Sequence, residues 1–415
     1  MKLNRPRGTR DFLPGENAKR WYAESALRRV AECWGYSEIK TPTFEHVELF
    51  TIKSGEGILG EIYNFRDKGD REVALRPELT APVMRLYVEE LQKAPKPLRF
   101  YYCENCFRYE NPQKGRFREF WQFGVEAIGS ARPEADAEVI ALAVEMLGSL
   151  GITGDLHVGH LGIIRHLLRE LGSEQQSRIL RLVDKKDDKG LESYLNDINA
   201  GDSLSASLFH LVGLRGGTAI DEARSIVGDI EAIAQLDSIL KLLDAYGVEY
   251  TVDFGIARGL DYYTGMVFEI YGENLGAQNQ VCGGGSYRLA HLFGGEDIPS
   301  TGYAIGFDRV MEILDVSIPK RLTAAVIYFE DTRTEAIQVA RKLRKHVPAY
   351  LDIMGRKFKD QLSFASASGA AYAVIVGKTE LDEGKLTLKN MLTKEQEKLT
   401  LEQVIERITA ASQQV

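Results

Sequence analysis

Cysteine is scarce in this chain: four in 415 residues, too few for a disulfide scaffold. Cys103 and Cys106 form a lone C-x-x-C with no second pair to complete a zinc site, and Cys33 and Cys282 stand alone. Ordinary buried thiols are the expectation for all four. Long apolar runs are missing too, and none approaches the length of a membrane span. The start, Met1-Lys2-Leu3-Asn4-Arg5-Pro6-Arg7, has no apolar signal-peptide core behind it, which reads as a cytoplasmic chain. No internal repeat and no low-complexity segment is visible. A surplus of basic charge is also lacking. The net charge is −8, which argues against a nucleic-acid binder on the total alone.

What is present is the composition of a globular protein, 44% hydrophobic and 27% charged, at a length that implies two or three domains. The charge is unevenly spread. Residues 320–415 hold 16 Lys/Arg against 12 Asp/Glu, a surplus of +4, whereas the first 319 residues hold 36 against 48, a deficit of −12. The basic groups of the last part include Arg341, Lys342, Arg344 and Lys345, then Arg356, Lys357 and Lys359. A solvated helix face explains the first group, and a basic module on an acidic body also permits a polyanionic partner.

The hydrophobic pattern divides the chain. Residues 18–34 carry helical apolar spacing (Trp21, Tyr22, Leu27, Val30, Ala31, Trp34) and end at Gly35. Residues 36–50 read as an extended segment broken by Pro42. Residues 72–76 predict a short strand, after which Glu78 or Thr80 opens a helix through Met84 and Leu91. Residues 98–109 and 117–128 are aromatic-rich strand candidates joined by a polar loop with Pro112 and Gly115, a long hairpin. Strands followed by helices suggest an α+β domain with an antiparallel sheet. Residues 173–245 read as a charged helical insertion within the first domain, which comprises 1–172 and 246–318. After Pro319 a β-α-β-α-β run over 322–415 predicts a small α/β domain with a mostly parallel sheet.

Several stretches carry candidate chemistry. The segment 257–270 places Arg258, Asp261, Tyr262 and Tyr263 between glycines, just before an apolar run. It reads both as a turn leading into a strand and as a ligand site. An arginine beside glycine can reach a phosphate, and paired tyrosines suit a small heterocycle. In the hairpin, alternation puts Gln122, Gly124 and Glu126 on one face, and in the same way Arg108 and Glu110 share a face. An amide and a carboxylate pointing into a pocket read a polar group, and Arg108 can clamp a phosphate. Salt-bridging residues on a plain sheet are the other reading. Phe117, Phe120, Trp121 and Phe123 are core candidates, with one of them available to stack on a base. Arg309 follows Gly306 where a strand turns into a helix, which suits an anion.

Two motifs mislead. Gly377-Lys378-Thr379 looks like the end of a P-loop, but the glycine required five residues earlier is Tyr372. His157-Val158-Gly159-His160 looks like the H-x-G-H element of class I aminoacyl-tRNA synthetases, yet it lies mid-chain with no K-M-S-K-S-like loop after it. Three apart on a strand, the two histidines fall on opposite faces, which disfavours a shared metal.

Taken together, these motifs resemble the histidyl-tRNA synthetase family of class II aminoacyl-tRNA synthetases over essentially the whole length. Gly35–Pro42 is similar to motif 1, which in the family helps build a dimer interface. Phe107-Arg108-Tyr109-Glu110 through Gln122 is similar to motif 2, and Gly302–Arg309 to motif 3. Those three give the class. Leu75-Arg76-Pro77-Glu78-Leu79-Thr80 adds the subgroup, and Arg258-Gly259-Leu260-Asp261-Tyr262-Tyr263-Thr264 is similar to the signature of the histidine enzymes.

The resemblance implies a class II catalytic domain, the helical insertion and a C-terminal anticodon-binding α/β domain. It implies ATP-dependent ligation of histidine to tRNA(His) through an adenylate, with ATP and Mg2+ as cofactors and a homodimer as the assembly. By the same resemblance Glu78 and Thr80 would hold the substrate α-ammonium, with Gln122 beside them. Glu126 and Tyr263 would bond the imidazole, with Tyr262 and Tyr287 lining the pocket. Arg108 would bind the α-phosphate and the substrate carboxylate, Glu110 would sit near the adenine amino group, and Phe120 would stack on the base. Arg116 and Arg309 would bind ATP, Arg309 at the triphosphate tail, and Arg258 would stabilise charge at the α-phosphate. No dedicated protein metal site is implied. The chain departs from the family's Gly-Gly-Arg-Tyr-Asp at Gly284-Gly285-Ser286-Tyr287-Arg288, where Ser286 and Arg288 replace the usual arginine and aspartate. Two other functions share this fold. One is the family's regulatory paralogue, a phosphoribosyltransferase subunit, which lacks the anticodon-binding domain. The other is a class II enzyme for another amino acid such as proline, whose pocket has no need of Glu126 plus Tyr263.

Overall fold

The computed structural model describes residues 3–54, 56–111, 116–257, 262–273, 279–318 and 322–412. The chain forms two compact units, Met1–Val316 and Ser317–Val415.

The first unit opens with α1 (Pro14–Cys33), which has proline in its first turn and stops at Trp34 and Gly35, the latter at φ +79°. Its buried face is Arg20, Ala23, Leu27, Val30 and Ala31. Trp21 and Tyr22 point outward at 68% and 44% exposure, so the aromatic residues that suggested the helix are not the ones that bury it. β1 (Ser37–Glu38), β2 (Phe44–His46), α2 (Glu48–Ser54), β3 (Asn64–Arg66) and β4 (Glu72–Leu75) follow. The extended reading of 36–50 therefore fails at Glu48, where a helix begins and buries Leu49 and Phe50 against Val47 and Ile62.

Next come α3 (Thr80–Leu86), β5 (Leu98–Phe107), β6 (Glu119–Ile128), α4 (Pro133–Ser149), β7 (Gly154–His160) and α5 (Leu161–Leu167). Five helices then run in succession: α6 (Ser173–Asp184), α7 (Asp188–Asp197), α8 (Asp202–Gly213), α9 (Ala219–Val227) and α10 (Glu231–Tyr246). The unit closes with β8 (Thr251–Val252), β9 (Tyr263–Gly272), β10 (Gln280–Tyr287), β11 (Ser300–Gly306) and α11 (Phe307–Ile313).

An eight-stranded sheet ordered β1-β5-β6-β11-β10-β9-β7-β8 carries this unit. Its central strands are antiparallel, and parallel pairs occur at the two ends, β1 with β5 and β7 with β8. One face is sealed by α4, whose Val139, Ile140, Leu142, Ala143, Met146 and Leu147 are buried with Phe123, Val125 and Phe268. The two-residue period sends the neighbours Gln122, Gly124 and Glu126 to the other face. A second sheet, β2-β4-β3, lies beside this one. Arg76, fully buried, joins the two. Its guanidinium donates to Thr41 O and Asn105 O (both 2.8 Å), Glu104 Oε2 (2.8 Å) and Asn105 Oδ1 (3.1 Å).

The second unit comprises β12 (Ala324–Tyr328), α12 (Arg333–Leu343), β13 (Ala349–Leu351), α13 (Phe358–Ala367), β14 (Tyr372–Val376), α14 (Lys378–Asp382), β15 (Leu386–Asn390), β16 (Gln396–Leu399) and α15 (Leu401–Ser412). Its sheet order is β13-β12-β14-β15-β16. Only the first three strands are parallel, because β15 pairs antiparallel with both β14 and β16. The mostly parallel expectation holds for half the sheet. The links 377–385 and 391–395 are shorter than the dozen or so residues a parallel crossover requires.

Removing the buried Arg76 side chain strands the carbonyls of Asn105 and Thr41 and takes from Glu104 its nearest cation. Arg76→Met is expected to lose about 3–5 kcal/mol of stability. Denaturant unfolding followed by fluorescence measures this, with m unchanged.

Candidate active site

The face of the large sheet opposite α4 opens into a cavity of about 410 Å³. Its walls come from the start of α3, the ends of β5 and β6, the first turns of β9 and β10, and the β11–α11 junction. Of the residues expected to act together, Glu78, Thr80, Arg108, Glu110, Arg116, Phe120, Gln122, Tyr262, Tyr263 and Arg309 all line it. Glu126 and Tyr287 do not, and instead form the layer behind the wall. Arg258 and Asp261 lie outside the described residues.

One end of the cavity rests on a buried carboxylate. Glu126 is 1% exposed. Its Oε1 accepts from the hydroxyls of Thr80 (2.8 Å) and Tyr102 (3.2 Å), and its Oε2 from Tyr287 (2.6 Å). Sheet register makes this possible. Gly302 stands opposite Glu126 on β11, and a Cβ there would lie 2.0 Å from Glu126 Oε2. Gly124 does the same for Tyr102, since its Cβ would fall 2.2 Å from the phenol ring. Burial pushes the Glu126 carboxyl up to about 8, although the Tyr287 and Thr80 hydroxyls pull it down; nearby Glu78 pushes it further up.

Glu78 sits at the mouth of α3, and its carboxylate accepts the amides of Thr80 (2.6 Å) and Ala81 (3.0 Å). That is N-terminal capping by a group that also faces the cavity. Desolvation still raises its carboxyl above the usual range. Tyr262 and Tyr263 lie with ring centres 4.7 Å apart, and Tyr262 meets Tyr287 edge-on at 5.7 Å. Burial holds the Tyr102, Tyr262 and Tyr287 phenols protonated, well above their ordinary value. Tyr102 and Tyr287 act as donors here.

The other end is cationic. Arg108 donates from Nε to Pro77 O (2.9 Å), and its guanidinium carbon lies 5.0 Å from the Phe120 ring centre. Arg116 Nη1 is 3.2 Å from Glu110 Oε2, and Arg309 donates to Gln280 O at 2.6 Å. Between the ends, Gln122 Oε1 accepts from the Cys106 thiol at 3.4 Å. Such a cavity takes a ligand with N–H donors or a cation at one pole and a polyanion at the other.

Some residues here were not anticipated. Tyr102 shares the inward face of β5, a position visible only once β5 and β6 are in register. Asp308 lines the cavity but reads in sequence as an ordinary helix-start acid. Phe117, Phe120 and Trp121 are half-buried cavity residues, and only Phe123 of that aromatic set is core. Ser286 donates to Asp136 Oδ1 (2.8 Å), and Arg288 pairs with Asp297 (3.0 Å), so both departures from the family pattern have partners. The misleading histidines are structural. His157 bridges Asp253 (2.8 Å) and Asp155 (2.9 Å), while His160 caps α5 by accepting from the Gly162 amide (3.1 Å). Cys103, Cys106 and Cys282 are buried as expected, whereas Cys33 is exposed at the end of α1.

A family model described as histidyl-tRNA synthetase matches residues 8–310. The chain belongs to the histidyl-tRNA synthetase family. A second model, described as an anticodon binding domain, matches residues 323–411. The chain is 59% identical to a histidine–tRNA ligase of Methanosarcina acetivorans over 99% of both chains. It is 54% identical to a histidine–tRNA ligase of Archaeoglobus fulgidus over 95% of this chain and 97% of that one. Apo histidyl-tRNA synthetase of S. aureus superimposes with a TM-score of 0.72 at 29% identity, covering 98% of this chain and 100% of that structure. Within this family fold the cavity occupies the antiparallel sheet of the first unit.

The folded chain keeps the Glu126 proton to about pH 8, higher than the unfolded chain does. Glu126 therefore favours folding at low pH and loses that contribution as pH rises from the ordinary carboxyl range towards the raised value. Glu126→Gln is expected to flatten the fall in ligand-free stability between about pH 5 and about pH 8. Denaturant titrations of both proteins across that range measure the slope.

Proposed function

We propose that this chain ligates L-histidine to tRNA(His) with ATP, through a histidyl-adenylate, releasing AMP and diphosphate. The observation that carries the proposal is the polarity of one cavity, with Thr80 and Tyr102 and the Glu126 carboxylate behind them at one pole and Arg108, Arg116 and Arg309 at the other. Family membership and the full-length relatives named histidine–tRNA ligase support the same reading.

In this reading imidazole docks at the carboxylate pole. Glu126 accepts a ring N–H in place of one of its present hydroxyl donors, and Tyr263 serves the other nitrogen. Tyr262 closes one side, with Tyr287 packed behind it. Glu78, Thr80 and Gln122 take the α-ammonium, which puts the substrate carboxylate towards Arg108. Phe120 stacks on adenine and Glu110 accepts from its amino group. Arg116 and Arg309 hold the phosphates, and Arg258 stabilises the α-phosphate. The substrate carboxylate oxygen attacks the α-phosphorus, and the bond to the diphosphate oxygen breaks. A terminal ribose hydroxyl of tRNA then attacks the activated carbonyl, and AMP leaves. No protein nucleophile is needed, because positioning and charge stabilisation do the work.

Mg2+ enters as part of the ATP substrate. A metal brought in this way is held mainly by phosphates and water. The division into a catalytic part (1–172 and 246–318), a helical insertion (173–245) and an anticodon-reading part (322–415) belongs to the proposal. So do a homodimer and a cytoplasmic location. Among the described residues no helix is long and apolar enough to cross a membrane.

ATP–diphosphate exchange should be driven by histidine alone among the amino acids, and exchange driven by proline instead would overturn the proposal. Arg108→Ala or Arg258→Ala should lower kcat for exchange by roughly 10²–10³. Tyr263→Phe should raise KM for histidine about tenfold with KM for ATP unchanged, as loss of one substrate hydrogen bond predicts.

A further inference from the structure

We infer that the N-terminal segment Gly8–Arg20 is a positioning element for the nucleotide pole of the cavity, acting through Asp308. The inference rests on the proposed ATP site.

Asp308 presents a difficulty at that pole. Its carboxylate is 3% exposed, lines the cavity and precedes Arg309. An unpaired carboxylate there would repel a triphosphate. The segment removes that repulsion. Asp308 Oδ1 accepts from Arg20 Nη1 at 2.6 Å and from Arg10 Nη2, while Oδ2 accepts the Trp121 amide at 2.7 Å. The two guanidiniums neutralise the charge, and the amide fixes β6 to the start of α11.

The contacts continue along β6. Arg20, itself 6% exposed, has its guanidinium carbon 4.2 Å from the Phe12 ring centre and 4.8 Å from that of Trp121. Arg10 lies 3.6 Å over Phe117, and Phe12 meets Trp121 edge-on at 5.3 Å. Phe117 and Trp121 both line the cavity. Gly8 O accepts the Arg118 amide at 2.9 Å, and a Cβ on Gly8, whose φ is +84°, would lie 2.7 Å from Arg118 Cγ. The segment therefore grips Phe117, Arg118 and Trp121 from outside. Phe120, between them, and Gln122, just beyond, are left facing the ligand. Arg10 and Arg20 act on the cavity through Asp308, so their effect is on placement and local charge.

The test is exchange kinetics on the full chain. Arg10→Gln and Arg20→Gln, each of which leaves the Asp308 charge less compensated beside the triphosphate, should each raise KM for ATP about tenfold while KM for histidine stays within about twofold. Arg10→Lys, which keeps the charge, should recover most of the ATP affinity. A purely structural role would move both KM values together, and that result, or no change in either, overturns the inference. Arg10 has a side chain 22% exposed, so Arg10→Gln decides the question if Arg20→Gln does not fold. A wild-type chain that shows no histidine-driven exchange sinks the proposed function itself. Active wild-type protein with indifferent variants sinks only the inference.

Discussion

A carboxylate buried in the middle of an eight-stranded sheet is the constraint around which this molecule is arranged. Placing the charged form of Glu126 there costs several kcal/mol unless donors surround it. Three hydroxyls do so, and they come from α3, β5 and β10 (Thr80, Tyr102 and Tyr287). Each donor demands space on a crowded sheet. Gly124 makes room for the Tyr102 ring, and Gly302 makes room for the carboxylate itself. The hydrogen-bonded cluster thus ties three elements remote in sequence to one strand, and it leaves the adjoining cavity lined by groups already oriented as donors or acceptors.

The same sheet separates structure from chemistry. On one face β6 sends Phe123 and Val125 into the core sealed by α4, while on the other Gln122 and Glu126 serve the site. A one-residue slip of β6 would exchange the two sets. Arg76 restrains the neighbouring small sheet, and Asp308 restrains the end of β6 nearest the arginines. Buried ion pairs of this kind contribute modestly to net stability. Here they hold particular strands at fixed separations.

Much of this was legible in the sequence, and the reason differs from residue to residue. Helix α1 announces itself by apolar spacing, a local signal. The hairpin of β5 and β6 follows from two aromatic runs around a polar loop. Arg108, Gln122 and Tyr263 lie in contiguous motifs with unusual residue content. Other features left no local trace. The helix at Glu48 forms because Leu49 and Phe50 find Val47 and Ile62 to pack against. Trp21 looks like core by type and spacing, yet it is exposed because α4 and the sheet lie on the side of Ala23 and Leu27. The antiparallel β15 was hidden because strand direction depends on the path of the connection and not on strand composition.

By itself the sequence determined which residue types are available and in what local order. It carried the arginine-rich and tyrosine-rich motifs, the strand alternation that separates Glu126 from Val125, and the charge difference between the two parts of the chain. Only the tertiary structure decided that Thr80, Tyr102 and Tyr287 converge on Glu126, that Gly302 stands across from it, and that Arg10 and Arg20 meet Asp308 nearly three hundred residues on. Those contacts depend on register and on which elements become neighbours. Both are set by burying the whole apolar surface at once, so neither is readable from any short stretch of residues.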